Sequence, residues 1–405
     1  MRGVQLSSVL FWLAMLSILA LFLLPFIANE PDLPVLLLAL FSAMIGGFVL
    51  LIPSWPRKAL FWSGSWLIWM LLAGLANVLG DISISQFVRG IVGFLFYFVF
   101  LAAATNLKPH QIRRLLVAIL LLSALICGRT IVLFLEHMPP STLLSPGLHR
   151  ATFFDPFAAL PFSVIGFVLS RFLVLNRLLA LIFMGFFIYL ALLSQSKSII
   201  LIALLALLWN DQSFSGFSLK GGIWKKLRIP LFAFGVLLIA IFYADRTLIL
   251  SRFLLIGTEY DVTTLGRLQE IQNAWHAFLR SPILGQGLGY TFQHVSTLSA
   301  TFGETDLRRY THNSIMFFLA TTGIPGLILY LGAMLSPHTS ALRMSSRLTG
   351  MPLQHRRLIS TLLLLSLVIF SAGLMTAGYK LIHINIILGL VHGAIWRLLQ
   401  PRLPL

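Results

Sequence analysis

Long apolar runs recur along this whole sequence, and they limit its fold more than any other feature. The runs are about 17–25 residues long, the length that an α-helix needs to cross a hydrocarbon core of about 30 Å. Of the 405 residues, 58% are hydrophobic and 10% are charged, and the mean hydropathy is +0.94. The sequence lacks the alternating ten-residue segments of a membrane β-barrel. It therefore predicts an all-α, polytopic membrane protein.

The apolar runs predict twelve membrane-spanning helices. They cover residues 9–27, 34–53, 59–79, 86–105, 114–135, 156–174, 177–194, 198–210, 230–244, 313–335, 358–377 and 384–399. The first run is longer than the apolar core of a signal peptide and lacks a small-residue cleavage site, so we count it as a span. We divide the chain into helices 1–9 (residues 1–244), a large polar loop (245–311) and helices 10–12 (312–405).

Basic residues predict which way the protein lies in the membrane. With a cytoplasmic N-terminus, 18 of the 29 Lys and Arg residues fall in cytoplasmic loops and termini, whereas Asp211 is the only one of the 12 acidic residues there. Helical membrane proteins keep such an excess of positive charge on the cytoplasmic side. The net charge of +17 is therefore a signal of topology, and we expect no nucleic acid partner. The same rule places the loop 245–311 outside the cytoplasm.

Residues 263–280, within this large loop, have the periodicity of an amphipathic helix. One side carries the apolar residues Leu268, Ile271, Trp275, Phe278 and Leu279, and the other side carries Arg267, Gln269, Glu270, Asn273 and His276. Pro282 ends the pattern. A helix of this kind lies in the membrane interface, with Trp275 at the level of the lipid headgroups.

A histidine marks the point where the large loop ends and an apolar run begins. His312 and Asn313 are followed by nine residues and then by Gly323-Ile324-Pro325-Gly326. At about 1.5 Å per residue, Gly323 lies roughly 16 Å deeper along a helix than His312. We expect the histidine at the membrane surface and the glycine pair, Gly323 and Gly326, at a close helix crossing with a kink at Pro325. The alternative is a histidine that only occupies the end of a helix.

Six basic residues are not explained by the topology rule, and all lie toward the outer leaflet. Two are within predicted spans, one is in a short outer turn, one follows the eleventh span and two are in outer loops: Arg89, Arg129, Lys197, Lys380, Arg150 and Arg267. Ionisable residues within spans usually face a polar cavity. Cations at one depth with few nearby acids indicate an anionic ligand such as a diphosphate, which Arg binds through its fork and Lys as a point charge. The alternative is that each long side chain reaches the nearest headgroups.

These motifs together resemble the O-antigen ligase and O-antigen polymerase superfamily of bacterial inner membranes. The His-Asn pair, nine residues and Gly-x-x-Gly match its signature, and Ser194-Gln195-Ser196-Lys197-Ser198 is similar to its small-residue turn before a basic residue. Arg267 followed by Trp275, Pro282, Gly285 and Gly287 is similar to its loop pattern. Lys197 departs from the family, in which arginine is usual, and a lysine there loses the bidentate fork.

The resemblance implies a C-type glycosyltransferase scaffold that transfers a glycan from undecaprenyl diphosphate to a sugar hydroxyl of lipid A–core. The transfer would invert the sugar, need no metal or other cofactor, and take place on the periplasmic side of a Gram-negative inner membrane. His312 and Arg267 would be catalytic. Arg267 and Lys197 would bind the diphosphate, with Arg89, Arg129, Arg150 and Lys380 as further candidates. Asn313, Gly323 and Gly326 would be structural parts of the motif.

Several alternatives remain open at this point. A polymerase uses the same donor and a lipid-linked glycan acceptor. The single dominant outer loop favours the ligase, whereas Arg150 in the shorter loop 136–155 is consistent with the polymerase. A transporter of a lipid-linked anion would also place cations within spans, but no inverted repeat is present. A protein that serves only as a membrane scaffold would leave His312 unexplained.

Two other site types are also open. Glu304 and Asp306 are a possible metal-binding pair. The glycines between residues 285 and 289 lack the strand and spacing of a dinucleotide site.

Overall fold

The computed structural model describes residues 56–80, 82–137, 159–173, 177–193, 262–294, 306–308, 311–344, 348, 350–375 and 382–400. Within them the helices are α1 (Arg57–Val78, with a π-helical turn at Leu60–Gly64), α2 (Ile84–Thr105), α3 (Pro109–His137), α4 (Ala159–Leu173), α5 (Arg177–Leu193), α6 (Val262–Arg280), α7 (Ser314–Arg343), α8 (Leu353–Met375) and α9 (Ile382–Leu399). The fold is helical, as the sequence predicts.

Five helices of this described part are long and apolar enough to cross a membrane: Arg57–Val78, Ile84–Thr105, Pro109–Val132, Ser314–Arg343 and Leu353–Leu374. Their mean hydropathy and their length of at least 22 residues confirm the prediction of a helical membrane protein. Shorter apolar helices occupy the spans predicted at 156–174, 177–194 and 384–399. The spans predicted at 9–27, 34–53, 198–210 and 230–244 lie outside the described residues, so the count of twelve stays a prediction.

Two short strands were not expected from the sequence. Strand β1 (Phe292–His294) pairs antiparallel with β2 (Asp306–Arg308), and His294 lies opposite Asp306. Three residues are too few for a period-two pattern to be visible in the sequence. The pairing turns the large loop back on itself and returns the chain to the N-terminus of α7.

Trp66 is the centre of the aromatic core that fixes α7 against α1 and α2. Its ring lies 6.1 Å from Phe94 and 5.6 Å from Tyr97 on α2, measured between ring centroids. On α7, the rings of Phe318 and Tyr330 lie 5.5 Å and 5.3 Å away. Edge-on and tilted aromatic pairs at these distances stabilise packing beyond simple burial. These contacts hold α7 against α1 and α2 on both sides of Gly323.

Helices α2 and α9 cross at close range. A Cβ atom on Gly389 would collide with the carbonyl of Tyr97, and one on Gly393 would collide with the carbonyl of Leu101. Small residues four apart allow two helix backbones to approach in this way. The sequence analysis expected a close crossing at Gly323 and Gly326 and did not expect this one at Gly389 and Gly393.

A chain of hydrogen bonds runs through the buried centre of the bundle. The hydroxyl of Tyr97 lies 3.4 Å from Ser63 Oγ and 2.9 Å from His392 Nδ1. The other ring nitrogen of His392, Nε2, lies 2.7 Å from Ser366 Oγ. Because buried polar groups need partners, this chain satisfies four side chains at once. It ties together α1, α2, α8 and α9.

Helix α6 confirms the predicted helix but packs on an unexpected face. Its buried residues are Glu270, Ala274, Ala277 and Phe278, whereas Leu268, Trp275 and Leu279 of the predicted apolar side are exposed. The prediction that placed Glu270 on a solvated polar face is therefore wrong. The small side chains of Ala274 and Ala277 let α6 approach its neighbours closely, and this brings the carboxylate into the protein.

Candidate functional site

His312 lies immediately before the first turn of α7. Asn313 is the N-cap of this helix, and its side-chain oxygen accepts a hydrogen bond of 3.1 Å from the backbone N–H of Met316. Asparagine is among the residues most favoured at this position because it satisfies a free N–H group. Thr311 also donates from its hydroxyl to the carbonyl of Asn313, over 2.8 Å. Both bonds fix the backbone on either side of His312.

Glu270 on α6 holds His312 at two points. One carboxylate oxygen accepts the backbone N–H of His312 over 2.8 Å, and both oxygens lie 2.9 Å from ring atom Nδ1. Glu270 is buried, whereas the His312 side chain is 23% exposed. A buried carboxylate is stable only when hydrogen-bonded or paired. Its position at the N-terminus of α7 is also favoured by the positive end of the helix dipole.

This geometry selects a tautomer for the neutral imidazole. A carboxylate is an acceptor only, so Nδ1 must carry the proton that it donates to Glu270. Nε2 then carries the lone pair and is the nitrogen able to take up a proton. If it does so, the adjacent carboxylate stabilises the imidazolium that forms. The pair therefore has the arrangement of a general base and the group that orients it.

Glu270 was missed as a site residue in the sequence analysis. A lone acidic residue on an amphipathic helix is usually solvated, and its partner lies 42 residues away in the chain. One signal was available: Ala274 and Ala277 follow it at helical spacing, and small residues on one helix face allow close packing.

Arg267 lies one turn before Glu270 on the same side of α6, and its side chain is half-buried. The structure therefore brings His312, Arg267 and the unexpected Glu270 into one region. Arg129 lies on α3, which packs mainly against α4, and its side chain is exposed. Arg89 lies on α2, beside Gly90, but its side-chain position is not described. Lys197, Arg150 and Lys380 lie outside the described residues, so the convergence of six cations stays a prediction.

The two glycine motifs of the sequence fit together in the structure. Helix α7 is interrupted at Gly323, which has φ +69° and ψ −173°. The loop after α6 binds to this interruption through three backbone hydrogen bonds, Gln286 N–H to Ala320 O (2.8 Å), Gly287 N–H to Thr321 O (2.9 Å) and Ile324 N–H to Pro282 O (2.9 Å). We call this contact the loop–helix interlock, formed by residues 282–287 and 320–324.

The interlock explains why glycine stands at position 323. A φ of +69° is unfavourable for other residues, and a Cβ atom there would collide with the carbonyl of Ile283. Pro325 has no N–H, so the carbonyl of Thr321 cannot find its helical partner and binds Gly287 instead. The predicted kink is confirmed, but Gly323 meets a loop rather than a second helix. Gly326 lies beside Trp69 of α1, whose Nε1–H donates to the carbonyl of Thr322 over 2.8 Å.

The glycine-rich loop also contacts the C-terminal end of α1 and the N-terminal part of α2. A Cβ atom on Gly90 would collide with the carbonyl of Leu288, and Gly287 faces Asn77 and Ile82. This contact places the loop, the N-terminus of α2 and the N-terminus of α7 at the same end of the bundle as His312.

Metal ligation was an open alternative at Glu304 and Asp306. Glu304 lies outside the described residues, and Asp306 is in β2. Among the residues whose positions are described, no group of three or more His, Cys, Asp or Glu side chains is placed to hold a metal ion.

Comparison with known proteins bears on the candidate site directly. A family model described as O-Antigen ligase matches residues 156–331. This range includes Lys197, Arg267, Glu270, His312 and the glycines of the interlock. Comparison with curated proteins finds no match. The family match agrees with the motifs: over residues 156–331 the protein is similar to the O-antigen ligase family.

Proposed function

We propose that this protein is an O-antigen ligase, which transfers a glycan from undecaprenyl diphosphate to a sugar hydroxyl of lipid A–core. One observation carries the proposal: the buried carboxylate of Glu270 orients His312 within the O-antigen ligase family region. The family implies substrates in which a glycan is linked to a lipid. The apolar helices are long enough to cross a membrane, and both lipid substrates would reach the protein within that membrane.

The proposed reaction is a single displacement at the anomeric carbon of the donor sugar. The acceptor oxygen forms the new glycosidic bond while the bond from the anomeric carbon to the diphosphate breaks, so the configuration inverts. The acceptor proton passes to Nε2 of His312 as the bond forms, and the diphosphate leaves with the bonding electron pair. Glu270 keeps Nδ1–H in place and stabilises the imidazolium. Such a base typically contributes about 10²–10⁴-fold in rate.

The charge that develops on the leaving diphosphate needs cations. Arg267 lies on the helix that carries Glu270 and is our first candidate, because a guanidinium binds phosphate oxygens in pairs. Lys197 would add a point charge, and Arg89, Arg129, Arg150 and Lys380 are further candidates. No metal is required in this scheme, because the diphosphate is already an activated leaving group and the cations stabilise its charge.

The exposed apolar side of α6 supports a site at the membrane surface. Leu268, Trp275 and Leu279 are about half exposed, and an amphipathic helix with such a side lies in the interface. The distribution of Lys and Arg indicates that this surface is periplasmic. Reporter fusions after Tyr290 and after Lys226 test the orientation. Phosphatase activity is expected at residue 290, and its appearance at residue 226 would reverse the assignment.

The decisive cellular test is deletion of the gene followed by analysis of lipopolysaccharide on a gel. Loss of a ligase leaves lipid A–core bare while long polymer accumulates on undecaprenyl diphosphate. Loss of a polymerase leaves lipid A–core capped with a single repeat unit. The second pattern would replace the ligase by the polymerase, the alternative that Arg150 in the shorter outer loop favours.

The matching test in vitro uses the full chain in nanodiscs with undecaprenyl-diphosphate-linked glycan and lipid A–core. We expect a glycosylated lipid A–core product that is detected by mass spectrometry and is formed equally in the presence of a chelator. Dependence on a divalent ion would contradict the metal-free scheme and would favour a metal site at Glu304 and Asp306.

A further inference from the structure

A cavity of about 370 Å³ lies at the end of the bundle opposite His312. It is formed where α3 begins, α4 ends and α8 begins, and its lining includes Pro109, Phe172 and Leu358. Helix α7 runs from His312 toward this end, and its 30 residues span about 45 Å. The cavity is therefore remote from the candidate site, and a ligand bound there is independent of the proposed function.

The polar lining of the cavity is basic. Arg113 and His110 come from α3, and Arg357 and His355 come from α8. The described lining residues include no carboxylate that could neutralise these groups. His355 Nδ1 is buried and has no hydrogen-bond partner within the part of the chain that the structure describes.

Two helix N-termini add to this positive potential. Helix α3 begins at Pro109 and α8 begins at Leu353, so the positive ends of both helix dipoles lie beside the cavity. Backbone N–H groups of a first turn are suited to bind phosphate oxygens. The guanidinium groups of Arg113 and Arg357 are exposed and are able to bind the same oxygens in pairs.

The remaining lining is apolar. Phe172, Leu173 and Leu358 form this part of the wall, and α3 and α8 both continue into membrane-spanning segments. A ligand that matches the whole cavity has a phosphate group next to a hydrocarbon chain. Basic pockets between membrane helices bind acidic lipid headgroups through this combination.

We infer that this cavity binds the phosphate group of an anionic phospholipid, with an acyl chain along Phe172 and Leu358. The binding chemistry is a phosphodiester held by Arg113, Arg357 and the histidines, while free inorganic phosphate shares only the anionic part of this chemistry. The apolar wall favours the lipid over the free ion.

The test titrates phosphatidylglycerol into the purified full chain in detergent and follows lipid retention by native mass spectrometry, together with the thermal unfolding midpoint. Phosphatidylcholine and inorganic phosphate are titrated in parallel. We expect phosphatidylglycerol to be retained and to raise the midpoint, with little effect of the other two. The double variant Arg113→Gln/Arg357→Gln should bind phosphatidylglycerol about thirtyfold more weakly, at about tenfold for each 1.4 kcal/mol and about 1 kcal/mol per arginine.

The control is the double variant Arg114→Gln/Arg343→Gln, which removes two exposed arginines outside the cavity lining. It should bind phosphatidylglycerol as the wild type does. Equal loss in both double variants would reduce the effect to general surface charge and overturn the site. An equal rise in midpoint with inorganic phosphate would overturn the lipid assignment. If the cavity variant does not fold, Arg357→Lys provides a milder test, and unchanged lipid retention in it would argue against bidentate binding by this arginine.

Discussion

Two histidines of this protein have contrasting surroundings. His392 is fully buried in the middle of α9, and each of its ring nitrogens is bonded to a hydroxyl, Tyr97 on one side and Ser366 on the other. His312 lies at the start of α7, is partly exposed, and has Nδ1 bonded to the carboxylate of Glu270. Hydroxyls can satisfy a neutral imidazole but bring no charge to offset an imidazolium. A carboxylate does bring such a charge, so the partners favour a structural role for His392 and support the proton transfer proposed for His312.

The largest expected effect is that of His312→Ala on transfer. We expect turnover to fall by about 10²–10⁴-fold because the general base is removed, while insertion and the unfolding midpoint stay close to those of the wild type. The measurement is the initial rate with lipid-linked donor and lipid A–core in nanodiscs. The matched control is His276→Ala, an exposed histidine on α6, which should retain full activity. A His312→Ala variant with more than a tenth of wild-type turnover would remove the contrast with His392.

Substitution of Glu270 should have the next largest effect. Glu270→Gln has the same shape, but its amide N–H₂ would face Nδ1 and favour the opposite tautomer, with the proton on Nε2. We expect kcat to fall by about 10²-fold, a loss within the range of a general base, with little change in KM for the donor.

The spectroscopic test for Glu270 is the ¹⁵N chemical shift of the His312 ring, which should report the exchange of tautomers in Glu270→Gln. Gln269→Ala on the neighbouring exposed position is the control. A purely structural role for Glu270 would lower the unfolding midpoint and leave the tautomer of the folded protein unchanged.

His392→Leu should act on stability instead of chemistry. It leaves the hydroxyls of Tyr97 and Ser366 buried without their partner, and each loss of this kind costs about 1–3 kcal/mol. We expect a lower free energy of unfolding in detergent denaturation and near-normal turnover of the folded fraction. The triple variant with Tyr97→Phe and Ser366→Ala should regain part of the loss, because the two hydroxyls that bonded to His392 are then removed as well. Loss of turnover in a fully folded His392→Leu protein would contradict the structural role.

Arg267→Lys should have the smallest effect of the four. The charge is conserved but the bidentate fork is lost, and we expect about a tenfold fall in kcat/KM, equal to about 1.4 kcal/mol of transition-state stabilisation. Arg280→Lys, at the exposed end of the same helix, is the matched control. Normal kinetics for both variants would indicate that Arg267 does not bind the diphosphate. The proposed site would then be sought at the other basic residues, Arg89, Arg129, Arg150 and Lys380.

Apolar length and periodicity were sufficient to predict the long helices, and α6 begins within one residue of its predicted start at Thr263. These signals are local, so a single sequence contains them. The partner of Glu270 and the close crossing at Gly389 and Gly393 depend on residues far apart in the chain. The spacing of the two α9 glycines is visible in the sequence, but the sequence does not show that α2 is the helix they pack against. Residue type alone predicted a solvated environment for Glu270. The carboxylate is buried because it bonds to His312, and a single sequence does not show that contact.

The loop–helix interlock has a consequence for building hybrid proteins. The loop that carries Gly285 and Gly287 and the interruption at Gly323 satisfy each other's backbone groups, yet a long stretch of sequence separates them. A chimera joined between them would combine a loop from one parent with a helix from another, and mismatched shapes would leave backbone groups unpaired. Since α6 leads directly into this loop, the same junction would also shift Glu270 relative to His312. A hybrid protein should therefore take α6, the loop and the first half of α7 together from one parent.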